Sequence, residues 1–138
     1  MKPVLVALGA TAAVTLGLIG NAPTAAAADG WCNDTTVVKK GAFSAILPAT
    51  SGGSTSCLMS RGSSGDHVLA LQHALQGCQG LDTGGLDGIY GAKTEAAVRT
   101  LQSRNGLSVD GVYGPSTRNV ISWWWHNWTI SDDRCARL

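Results

Sequence analysis

Leu86–Thr94 reads LDGIYGAKT, and Val109–Thr117 reads VDGVYGPST. The shared spelling, Asp-Gly-x-Tyr-Gly-x-x-Thr, decides how the middle of the chain is read. Asp-Gly favours a tight turn: the Asp carboxylate can accept from its own backbone two residues on, and Gly88 or Gly111 can take a positive φ. Gly91 and Gly114 fall where a helix N-cap belongs, and Pro115 suits the first helical position. Thr94 and Thr117 then land in the first turn, where a hydroxyl can satisfy free backbone groups or hold the preceding loop. Tyr90 and Tyr113 lay a ring over the turn or across its mouth. Each copy is a loop-to-helix joint.

Outward from these joints the apolar spacing is helical. Ser64, His67, Val68, Leu71 and Leu75 form one stripe; Thr94, Ala97, Val98 and Leu101 a second; Thr117, Val120, Ile121, Trp124 and Trp128 a third. Each follows the spacing of an amphipathic helix that buries one face. Gly77 and Gly106 end the first two, and Leu-Gln recurs as Leu71-Gln72 and Leu101-Gln102. No stripe is long enough to be stable alone, so the helices must pack on one another. The expectation is an all-α fold, a small three-helix bundle with Gly-rich turns. With one Phe and two Tyr its core is small, and disulfides would supply what the core lacks.

The chain begins Met-Lys-Pro, runs uncharged from Val4 to Gly20, and passes through Ala-x-Ala sites near Ala26–Ala28. That order reads as a secretory signal peptide over residues 1–28, with a retained membrane span as the weaker reading because the run is short and rich in Gly, Ala and Thr. Residues 29–57 read as an N-terminal arm and linker, the latter being Pro48–Ser56. A domain follows over 58–122, then a Trp-rich tail over 123–138. Without Lys2, nine Lys and Arg balance nine Asp and Glu. Such a balance gives nucleic-acid binding little support, and membrane contact is expected only through an uncleaved signal segment. Four cysteines in an exported small domain read as two disulfides. Spacing does not select among the three pairings; Cys57–Cys78 with Cys32–Cys135 is favoured, as a local clasp and a tie between the two tails.

Arg61–Gln76 followed by Leu86–Ile121 resembles the type 1 peptidoglycan-binding domain. Its pattern is met by Gly65, Val68, Leu71, Gln72 and Leu75, then by Asp87, Gly88, Tyr90, Gly91, Thr94, Ala97, Val98 and Gln102. Gly106, Leu107, Asp110, Gly111, Gly114 and Thr117 complete it. The resemblance covers Leu58 to about Ser122. It implies a three-helix, non-catalytic module that holds bacterial cell-wall peptidoglycan, secreted or wall-associated, with no cofactor or metal. Such modules usually accompany a wall-cleaving domain. No second domain is expected in these flanks, so an enzyme, if one is involved, would be a separate chain.

A catalytic site has few residues to rest on. Glu95 is the sole glutamate and suits the positive end of a helix. Asp87 and Asp110 could be cast as a glycosidase pair, although their Asp-Gly context favours turn duty. His67, His73 and His126 lack ligand-like spacing for zinc, and no cysteine is marked as spared from pairing. A ligand groove for peptidoglycan would use a ring, amides and an arginine. Tyr90, Thr94, Gln102 and Arg104 are the foremost candidates on the face of the two turns, with Asp87 and Tyr113 beside them. Gln72 and Gln102 could equally cap neighbouring turns, and the tyrosines could fill the core. In Ser122–Trp128 (SWWWHNW), Trp124 and Trp128 are expected to pack inward along the third stripe. An exposed Trp123 or Trp125 would stack on sugar or meet a partner protein, unless the N-terminal arm covers it. Two other functions stay open: a small wall hydrolase, and a secreted inhibitor or signal that reuses the scaffold.

Overall fold

The computed structural model describes residues 27–138. The expected signal segment lies almost wholly outside them; among the described residues no helix is long and apolar enough to cross a membrane. Among the described residues eight elements follow one another, the π-helical turn included. Strands β1 (Asp34–Lys40) and β2 (Phe43–Ala49) come first, then α1 (Asp66–His73), which continues as a π-helical turn over Ala74–Cys78. Next are α2 (Ala92–Arg104), α3 (Pro115–Val120), β3 (Trp123–Asn127) and β4 (Asp132–Ala136). The four strands form one antiparallel sheet in the order β1-β2-β3-β4. This overturns the all-α expectation: the fold is mixed, with helices from the middle of the chain packed on a sheet from both flanks.

The physical reason lies in the flanks. Thr35, Thr36, Val37 and Val38 are β-branched, which crowds a helix and suits a pleated strand. A two-residue turn, Gly41-Ala42, with Gly41 at φ +62°, folds Phe43–Ala49 back on them. Pairing runs from Asp34 opposite Ala49 to Lys40 opposite Phe43. At the other end α3 stops at Val120, because Ile121 is already extended at ψ 141°. The tryptophan run is therefore a strand with period two, not the end of a helical stripe. Trp123 and Trp125 are buried, while Trp124 and Trp128 face outward. The inward placement expected for Trp124 and Trp128 is thus reversed. The arm does reach this region, with Ser44 of β2 opposite His126 of β3, yet it leaves those two rings open.

The helical stripes behave as amphipathic faces. Val68, Leu71 and Leu75 of the first, and Thr94, Ala97, Val98 and Leu101 of the second, are buried. They join Leu47 of β2, Met59, Tyr90, Tyr113, Ile121, Trp123 and Trp125 in one core. Burial of each Val or Leu side chain contributes about 1.5–3 kcal/mol.

The disulfides join Cys32 to Cys57 and Cys78 to Cys135, which corrects the favoured pairing. Backbone bonds between Cys32 and Leu58 and between Leu58 and Gly30 zip the start of the arm against residues 57–58. Cys135 stands opposite Trp124 in the β3–β4 ladder, and the Trp124 ring lies on Gly77, next to Cys78. The isolated bridge between Trp31 and Leu58 brings Cys32 to Cys57, and the β3–β4 register brings Cys135 to Cys78.

Candidate functional site

The repeated joint is built by the two glutamines. Gln72, on α1, reaches across to the first turn: its Nε2 donates to Asp87 Oδ1 (2.9 Å), the Ile89 carbonyl (3.0 Å) and Thr94 Oγ1 (3.1 Å). Its Oε1 accepts from the Gly88 N–H at 2.9 Å. Gln102, on α2, repeats the arrangement on the second turn. There Nε2 donates to Asp110 Oδ1 (2.8 Å), the Val112 carbonyl (2.9 Å) and Thr117 Oγ1 (3.2 Å). Oε1 accepts from the Asp110 and Gly111 N–H groups at 3.1 and 3.0 Å. Each helix therefore holds, through one amide, the turn that follows and the first-turn threonine of the helix after it. An amide is the side chain that offers donors and an acceptor together, and this geometry uses both.

The turn residues fit that duty. Gly88 and Gly111 sit at φ +69° and +70°; a Cβ on Gly88 would stand 3.2 Å from the Gly65 carbonyl oxygen. Asp87 Oδ1 also accepts from the Ile89 N–H, and Asp110 Oδ1 from the Val112 N–H. The Gln72 amide, with the Ile89 N–H second, holds the Asp87 carboxyl below its ordinary range by stabilising the ionised form. Tyr90 ties the copies together: its hydroxyl donates to the Gly111 carbonyl at 2.8 Å. Both tyrosines also pair by backbone with the strand-like segment Met59–Ser63. Burial raises the pKa of each phenol. Tyr113 packs edge-on against Trp123, and its buried hydroxyl has no hydrogen-bond partner among the described residues.

Of the six residues put forward for ligand contact, four lie inside. Tyr90 and Thr94 are fully buried, as is Tyr113, and Gln102 is 2% exposed. Their side chains shape the turns from within. Asp87 and Arg104 are at the surface; Asp87 belongs to the Gln72 network, and Arg104, in the last turn of α2, stands outside it. Beside the turns, Leu86, Ile89 and Val109 are exposed apolar side chains.

The groups weighed for catalysis have other duties. Asp87 and Asp110 each serve a turn, and Glu95 pairs with Arg99 at 3.4 Å and Arg61 at 3.9 Å. All four cysteines are in disulfides. Among the described residues no three His, Cys, Asp or Glu side chains converge as a metal site.

A second surface was not visible in helical terms. Between α1 and the sheet runs a groove of about 570 Å³, with Trp124, Trp128, His126, Asp66, Ser44 and Thr35 along it. Its signal in the sequence was the alternation of the tryptophans, which only a strand reading converts into an outward pair.

Comparison with known proteins bears on the middle of the chain. Residues 64–121 match the family of peptidoglycan binding domains. The chain is 39% identical over 80 residues to a probable N-acetylmuramoyl-L-alanine amidase of Bacillus licheniformis, covering 57% of this chain and 23% of that protein. It is 41% identical over 81 residues to the zinc D-Ala-D-Ala carboxypeptidase of Streptomyces albus G, covering 56% and 29%. The chain thus spans under a third of the length of these two relatives. Among solved structures, the SleB N-terminal domain is 40% identical, with 46% of this chain and 85% of that chain covered and a TM-score of 0.43.

Proposed function

Through residues 64–121 this chain belongs to the peptidoglycan-binding domain family, and from that membership we propose that it is a non-catalytic module that binds cell-wall peptidoglycan outside the cell. The single observation that carries the reading is the match of the family across both Asp-Gly-x-Tyr-Gly joints. The Gln72 and Gln102 networks support it physically: they hold the two turns in fixed conformations, and a preorganised surface loses little entropy when a ligand docks. On the face of the turns, Asp87 and Arg104 would meet the ligand, while Tyr90, Thr94, Gln102 and Tyr113 keep that face in shape. The two disulfides suit an exported protein.

Sedimentation of the oxidised protein with purified, protein-free sacculi tests this. Saturable depletion from the supernatant, abolished by prior digestion of the sacculi, is expected. Protein that stays in the supernatant at every sacculus concentration would overturn the proposal.

A further inference from the structure

The groove between α1 and the sheet has its sheet wall outside the family-matched segment, on β1, β2 and β3. Its two outward indoles are large and open: Trp124 is 45% and Trp128 78% exposed. Both are nevertheless held. The Trp124 ring lies so close over Gly77 that a Cβ there would come within 3.0 Å of it. Trp128 donates its Nε1–H to Ser44 Oγ at 3.1 Å and stands edge-to-face on His126 with ring centroids 4.1 Å apart. His126 is anchored in turn through Nδ1 to Asp133. A contiguous open aromatic surface is a binding feature in a small domain, and one whose rings are already oriented is ready for a ligand.

The charge of the groove selects among the chemistries of the wall. Among the described residues no Lys or Arg lines it; its titratable side chains are Asp66, His73 and His126, the last already engaged by Asp133. Free carboxylates of a stem peptide would find no guanidinium or ammonium partner there and would meet Asp66. A pyranose ring fits instead: its C–H face covers an indole, and its hydroxyl and acetamido groups can bond to Thr35, Asp66 and Ser44, whose hydroxyl keeps its own proton to donate. The volume falls within the ~300–1,000 Å³ of small-ligand clefts. Resting on the wall-binding reading above, we propose that this groove holds the glycan strand, with N-acetylated hexosamine rings stacked on Trp124 and Trp128, and does not hold the stem peptide.

The test uses the oxidised protein and its Trp124→Ala and Trp128→Ala variants. Each is titrated with peptide-free glycan strands and with released stem peptides, followed by tryptophan fluorescence, and each is sedimented with intact sacculi. Glycan strands should give a saturable change that stem peptides do not. Trp128→Ala, which removes a mostly exposed ring and should melt as the parent does, is expected to weaken strand and sacculus binding about tenfold. If folded Trp128→Ala and Trp124→Ala hold sacculi as tightly as the parent, or if stem peptides compete for sacculi and strands do not, the groove assignment fails while wall binding stands. If the parent protein ignores sacculi altogether, the wall reading falls and the groove assignment falls with it.

Discussion

Gln102→Glu exchanges the amide of a buried side chain for a carboxyl and should turn a stabilising network into a pH-dependent liability. The acceptor half survives, because a carboxylate oxygen can still take the Asp110 and Gly111 N–H groups. The donor half inverts. Where Nε2 stood 2.8 Å from Asp110 Oδ1, two carboxylate oxygens would now face each other, and the Val112 carbonyl would keep only the long bond from the Thr117 hydroxyl at 3.5 Å. Like charges that close repel by roughly 2–4 kcal/mol at an effective dielectric between that of a protein surface and that of water, and the shorter bond lost at the Val112 carbonyl adds about 1 kcal/mol. The pair would share a proton, so the pKa of the introduced carboxyl in the folded state is raised above its unfolded value of about 4.3. A raised pKa means that the penalty is absent below the unfolded value and grows as pH rises through the folded one. Thermal unfolding followed by circular dichroism should therefore show a small Tm gap from the parent at pH 4. At pH 8 the gap should be about 15–20 °C, taking about 4–5 °C per kcal/mol for a domain of this size. Adding Asp110→Asn should close most of it, since the new amide can donate to the introduced carboxylate. A gap that is equal at both pH values, or none at either, would refute the account of the joint.

The tyrosines give a paired expectation: Tyr90→Phe loses a bond to Gly111 and should cost about 1 kcal/mol, whereas Tyr113→Phe deletes an unpartnered hydroxyl and should leave Tm unchanged or raise it. Equal losses in the two melting curves would contradict the assigned partners. Because burial raises both phenol pKa values and the chain has only these two tyrosines, absorbance at the tyrosinate band should stay flat through a pH of about 10. The stability tied to the neutral phenols is present below the unfolded pKa of about 10 and is lost above it, so ionisation should coincide with unfolding. Ordinary phenol titration in the folded protein would count against their burial. Replacing Cys78 and Cys135 together by Ala opens a link across a sequence separation of 57 and should cost about 4 kcal/mol in chemical denaturation; a variant as stable as the parent would disprove that link.

Much of the site was legible because it is local. The turn residues, the N-cap glycines and Pro115 at the start of α3 carry their conformations in their own chemistry, and the three apolar stripes mark buried faces wherever the chain remains helical. Gln72 and Gln102 recurred visibly beside buried leucines, but capping and ligand contact ask for the same side chain. Only their closure onto Asp87, Thr94, Asp110 and Thr117 distinguishes the two. The sheet was harder for the opposite reason. Its central pairing, β2 with β3, joins segments as far apart as Ser44 and Trp128, 84 residues along the chain, and no local pattern announces that meeting. Trp124 and Trp128 fit a four-residue helical step as well as an even strand step, so the extended backbone at Ile121 decided which way they face. The cysteine pairing depended on the same register, since Cys135 reaches Cys78 only once β4 lies beside Trp124.

The central claim, a wall-binding module without hydrolytic activity, is tested most directly in one suspension of purified sacculi. Oxidised protein is added, and its partition into the pellet and the turbidity of the suspension are followed together over hours. Saturable partition into the pellet at constant turbidity is the predicted result. Falling turbidity would reveal a catalytic site, and protein left in the supernatant would contradict wall binding itself.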